Sequence, residues 1–208
     1  MPYTPEVAQA VDQYRARTIP VHVSIQATQV VLSQPEMEAL LAQAQCIALG
    51  QCDCRREHRR CAAPLDVCLT LDETARETMA RGHARRVSLA EALQVLRRSH
   101  EHGLVHLAYR QGDSKGTEIV CSCCPCCCWF LNALKRFDYH DALAESSFVA
   151  AFDPAPCNGC GLCVRRCPFE AWQIGGDGVR FDPVRCFGCG LCVSACAPGA
   201  IALAARIE

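Results

Sequence analysis

Eight cysteines in this chain are set in two copies of one unit, and that duplication limits the fold more than any other feature. Cys157, Cys160, Cys163 and Cys167 follow the spacing Cys-x2-Cys-x2-Cys-x3-Cys-Pro; Cys186, Cys189, Cys192 and Cys196 repeat it 29 residues later. The same offset relates Phe152-Asp-Pro to Phe181-Asp-Pro, Gly161-Leu-Cys to Gly190-Leu-Cys, and Ala171 to Ala200. A constant period over this many positions means two copies of one supersecondary unit. Each reads as an extended residue, a cysteine loop and a short helical turn. Between them, residues 172–174 and 179–181 flank a glycine-rich stretch, which predicts strand, reversal, strand. Residues 148–152 and 201–203 are expected to form a second strand pair.

Cysteine makes up 19 of the 208 residues. In a small secreted protein such density would mean a disulfide scaffold. Here the number is odd, the start of the chain does not read as an export signal, and most cysteines are two or three residues apart or adjacent. That pattern suits metal ligation in a reducing, cytoplasmic setting. The formal charge of −1, from 21 basic and 22 acidic residues, argues against a basic nucleic-acid footprint. No run of 18 apolar residues predicts a membrane span.

Three thiolates two residues apart can wrap one face of an iron–sulfur cubane, while the fourth, beyond a turn, points away. Zinc sites instead pair two Cys-x2-Cys knuckles across a longer insert. Residues 150–205 resemble the bacterial two-cluster [4Fe–4S] ferredoxins. The resemblance implies that Cys157, Cys160, Cys163 and Cys196 hold one cluster, and Cys186, Cys189, Cys192 and Cys167 the other. One departure is Cys196-Ala197-Pro198, where that family has proline directly after the fourth cysteine.

Ten more cysteines lie upstream: Cys52, Cys54, Cys61, Cys68, Cys121, Cys123, Cys124, Cys126, Cys127 and Cys128. Adjacent side chains diverge, so the six thiols of 121–128 point to two sites, or to one site plus a reactive thiol. The order Cys52-x-Cys54-Arg55, Cys61-x2-Pro64-x3-Cys68, Gly103-Leu-Val-His106 and then the cysteine run resembles a class of uncharacterised 4Fe–4S binding proteins of anaerobic bacteria and archaea. That resemblance implies extra metal centres. The expectation is one or two additional iron–sulfur clusters; zinc and metal-free thiols are the alternatives. Cys46 reads as a core thiol. The basic run 55–60 would balance ligand charge or form a solvated loop. His106 reads as a packed core histidine, and His100 and His102 as groups at a helix end.

Capping boxes at Ser33–Glu36 and Ser88–Glu91 predict helices to about residue 45 and to Gly103. Residues 5–17 read as a helix, and 21–25 and 104–108 as strands. The chain is therefore expected to be α+β, with a mixed cysteine-rich metal-binding domain over 1–147 and a two-cluster ferredoxin domain over 148–208. The function this predicts is iron–sulfur electron transfer to a redox partner protein, with oligomeric state left open. An iron–sulfur oxidoreductase whose upstream site is catalytic, and a thiol or metal redox sensor, are the other two readings.

Overall fold

The structure is a computed structural model, and the residues described are 29–109, 117–137 and 143–206. The helix expected over 5–17 and the strand over 21–25 lie outside the described residues. Helix α1 (Gln34–Gln43) opens as the sequence predicts. The Ser33 hydroxyl accepts the Glu36 N–H, and the Glu36 carboxylate accepts the Ser33 N–H at 2.8 Å. It ends at Gln43 because Ala44 turns to extended backbone.

Helix α4 (Leu89–Glu101) forms only half of its expected box. Ser88 accepts the Glu91 N–H, but the Glu91 carboxylate pairs with Arg85 instead. The helix closes in a Schellman motif. The Gly103 N–H reaches His100 O at 2.9 Å, the Leu104 N–H reaches Ser99 O at 3.0 Å, and Gly103 takes φ +76°.

Six strands, β1 (Gln29–Leu32), β2 (Ile47–Gln51), β3 (Asp66–Leu71), β4 (Ala84–Val87), β5 (Val105–Tyr109) and β6 (Ile119–Cys123), form one antiparallel sheet in the order β1-β5-β6-β3-β2-β4. Side chains alternate across it. Ile47 and Leu49 join Met37 and Leu41 of α1 and Val95 and Leu96 of α4 in one core. Ala48 and the buried Cys46 face the other way, onto Ala75 of α3 (Asp72–Ala80). Cys46 is therefore a packing residue, as expected.

Both strand pairs expected downstream are present: β7 (Phe148–Phe152) with β10 (Ile201–Ala205), and β8 (Trp172–Gly175) with β9 (Gly178–Phe181). Short helices α6 (Leu162–Arg166) and α7 (Leu191–Ala195) follow the two cysteine loops. The repeats are not equally placed. Val105 and Leu107 of β5 and Leu131 of α5 (Trp129–Phe137) share an apolar cluster with Phe169, Phe187 and Leu191. Phe169 and Phe187 stack at 4.6 Å. Arg166 caps the other side of the junction by donating to Glu101 O at 2.8 Å at the C-terminus of α4.

Gly188 shows how tight this junction is. It has φ +72°, and a Cβ there would collide with Phe148 O and Ser146 Oγ, whereas its repeat counterpart Gly159 has open space around it. Gly188→Ala is expected to cost more than about 2 kcal/mol through left-handed strain and displaced backbone. Gly159→Ala would bear the strain alone. Thermal unfolding of the two variants side by side checks the difference.

Candidate metal centres

Two cavities lie in the C-terminal part. One is lined by Cys157, Cys160, Cys163 and Cys196 together with Phe152 and Ile201. The other is lined by Cys167, Cys186, Cys189 and Cys192 together with Phe187 and Leu191. Each wall holds three cysteines of one repeat and the last cysteine of the other. The chain crosses because the fourth thiol of each unit follows a helical turn, α6 or α7, that carries it away from its own loop. The first cavity is open, with Cys160 exposed; in the second, Cys186, Cys189 and Cys192 are all buried.

Burial pushes the Cys189 thiol up, and pushes Cys192 up to about 12 against the opposing Trp172 indole N–H. A metal or cluster bound to such thiols would displace their protons, so its uptake would tighten as pH rises. Four sulfur donors around a void of this kind fit an iron–sulfur cluster.

The ten upstream cysteines divide in two. The Sγ atoms of Cys61, Cys124, Cys126 and Cys127 all lie within 4.8 Å of one another. The other six fall into a group of four and a pair. Cys68 Sγ is 3.7 Å from Cys121 Sγ, which also faces the Tyr109 hydroxyl at 3.6 Å, and Cys123 hydrogen-bonds to both Cys121 and Cys128. Cys52 hydrogen-bonds to Cys54, and both border the core that holds the quartet. The pleat of β6 explains the division. Cys121 and Cys123 project to the face carrying Val105 and Leu107, while Cys124 joins the core on the opposite face. Adjacent thiols do converge at one point: the turn 125–127 brings Cys126 Sγ to 3.9 Å from Cys127 Sγ. Sequence spacing alone did not anticipate that, because it needs the turn.

Arg55 is the functional side chain that the sequence reading left undecided. It lies in α2 (Asp53–His58) and is 2 % exposed. It donates to Pro64 O and, at 2.8 Å, to Ser122 O, and it hydrogen-bonds to Cys124. Burial alone would raise the Cys124 thiol, but Arg55 and the Cys126 thiol hold it down at about 7. Hydrogen bonding from Cys54 holds Cys52 down at about 6. A guanidinium stays charged at any relevant pH, so it can neutralise thiolates where water is excluded. The rest of the basic run divides: Arg60 donates to Cys126 O at 3.2 Å, and Arg56 pairs with Asp53 at the surface.

His106 is buried with its Nδ1 at 3.1 Å from Ser122 Oγ, and burial, then His100, lowers it to about 3. It is a neutral core histidine, in line with expectation. His100 is not simply at a helix end: its ring lies 6.2 Å from that of His106, and its Nε2 meets Ser194 Oγ at 2.8 Å. Ser122 lies between Cys121 and Cys123, and Ser194 between Cys192 and Cys196, so this polar chain links the two parts. No sequence motif marks it.

Residues 156–201 match the 4Fe–4S dicluster domain family. No curated protein matches the chain. The matched segment supports at least one iron–sulfur cluster there and implies iron–sulfur electron transfer. Among the described residues, no helix is long and apolar enough to cross a membrane.

Arg55→Met removes the buried cation and leaves two carbonyls without a donor. It is expected to cost about 3 kcal/mol or more and to lower metal bound at the upstream thiols. The visible absorbance of the C-terminal iron–sulfur part should persist. Metal analysis beside the absorbance spectrum separates the two effects.

Proposed function

We propose that the chain is an electron-transfer protein in two parts, residues 1–147 and 148–208. The second part holds two [4Fe–4S] clusters and the first holds one or two further metal clusters. Cys157, Cys160, Cys163 and Cys196 would hold one cubane, and Cys186, Cys189, Cys192 and Cys167 the other. The observation that carries this reading is the pair of cavities whose cysteine walls exchange their fourth member. Bound there, iron–sulfur clusters supply one-electron chemistry at low potential.

The chain's own residues set access and order. Exposed Cys160 opens the first cavity towards a redox partner protein. The second cavity is lined by Phe169, Phe187 and Leu191, and these residues pack in one apolar cluster with Cys121, Cys123 and Cys128. Electrons would therefore travel between an outer face and the upstream thiols, through a dry layer that lies inside the molecule. None of the nineteen cysteines is in a disulfide, which favours a reducing, anaerobic cytoplasm as the setting.

Cys196→Ala and Cys167→Ala are each expected to lower iron and sulfide by about four per chain. Paramagnetic resonance of the reduced protein should lose a different signal in each. Cys196→Ala should remove the signal that Cys157→Ala removes. If it removes the one lost in Cys186→Ala instead, the exchange of fourth ligands is wrong.

A further inference from the structure

We infer that Cys61, Cys124, Cys126 and Cys127 form a mononuclear tetrathiolate site for one soft divalent ion, zinc or ferrous iron, with no bridging sulfide. The inference rests on the proposal that the upstream thiols bind metal, and it divides that proposal into two centres of different chemistry.

Spacing is the first argument. Four sulfurs at about 2.3 Å around a tetrahedral ion stand about 3.8 Å apart. Here Cys61 Sγ is 3.6 Å from Cys124 Sγ, Cys126 Sγ is 3.9 Å from Cys127 Sγ, and all four lie within 4.8 Å of one another. Thiolates that bind separate irons of a cubane stand apart by the width of the cluster and enclose a void. The two C-terminal quartets each line a cavity and do not close to single-ion spacing. Among the described residues, the upstream quartet is the set of metal-binding groups that closes to single-ion spacing. Tetrahedral sulfur coordination selects zinc or iron.

The surroundings are the second argument. Buried Arg55 hydrogen-bonds to Cys124, and its Nε has no hydrogen-bond partner. The backbone N–H of Arg60 interacts with the Cys127 sulfur, and that of Cys127 lies near the Cys124 sulfur while donating to Cys124 O at 3.3 Å. Donors converge on the sulfurs, as an anionic tetrathiolate requires.

The site would act as a cross-link. It ties the loop after α2 to the turn after β6, 63 residues further on, and so fixes α2, which carries Arg55 and Cys54. The six remaining thiols, Cys52, Cys54, Cys68, Cys121, Cys123 and Cys128, are then left for a further iron–sulfur centre, and three of them, Cys121, Cys123 and Cys128, pack against the C-terminal part.

Cubanes hold iron and sulfide in equal number, whereas a single ion adds metal without sulfide. The intact chain, purified anaerobically, should show an excess of about one metal ion over acid-labile sulfide. Cys61→Ala and Cys126→Ala should each abolish that excess while leaving sulfide unchanged. Elemental analysis then says whether the lost ion is zinc or iron. Equal metal and sulfide in the intact chain would overturn the inference, as would a joint loss of iron and sulfide in either variant. Sulfide content also reports that a variant remains folded. Cys68→Ala keeps the two proposals apart: if it and the quartet variants all leave metal and sulfide unchanged, the upstream thiols bind no metal at all.

Discussion

The two-residue period of β6 governs how this chain uses its densest run of thiols. Six cysteines in eight residues would crowd one site if the backbone were irregular. In a strand, successive side chains leave on opposite faces. Cys121 and Cys123 go to the side that meets the C-terminal part, and Cys124 goes to the main core. The turn that follows then gathers Cys126 and Cys127 beside Cys124. Every other feature of the upstream region answers to that separation. Arg55 binds Ser122 O between the two groups. Cys61 and Cys68, from one loop and one strand, are drawn to different groups.

A second consequence is that the duplicated unit is symmetric in sequence and asymmetric in environment. The first copy keeps an exposed cysteine and glycines in open space. The second copy is pressed against β5, α5 and the start of β7. Burial lowers the local dielectric and raises the thiol pKa values of Cys189 and Cys192. Two cysteine-lined cavities built from nearly the same residues thus sit in different media. Polarity, hydrogen bonding and exposure around an iron–sulfur cluster set its potential, so clusters held there would differ in potential. The hydrogen-bonded and stacked chain Ser122, His106, His100, Ser194 and the stacked Phe169 and Phe187 span the same junction by polar and apolar routes.

Local signals were readable where the physics is local. The Ser33 capping box, the stop at Gly103 and the glycine-rich hairpin at 175–178 each depend on a few neighbouring residues. The box at Ser88 was legible only in part, because Arg85 lies nearby in space and competes for the Glu91 carboxylate. The role of Arg55 was not legible. Within a run of basic residues nothing distinguishes the one whose side chain enters the core. Only the packing of α2 against β6 picks it out.

By itself, the sequence determined the inventory: two copies of a four-cysteine unit, ten further thiols in two segments, and helix and strand signals for an α+β chain. Ligand spacing is short-range chemistry written along the backbone, which is why these features could be read in order. The tertiary structure decided the grouping. It drew four of the upstream thiols into a close quartet apart from the other six, and buried the cysteine loop of one repeat while leaving the other's exposed. Those outcomes depend on which face of a strand a residue occupies and on contacts between segments more than 60 residues apart. No spacing along the chain encodes either.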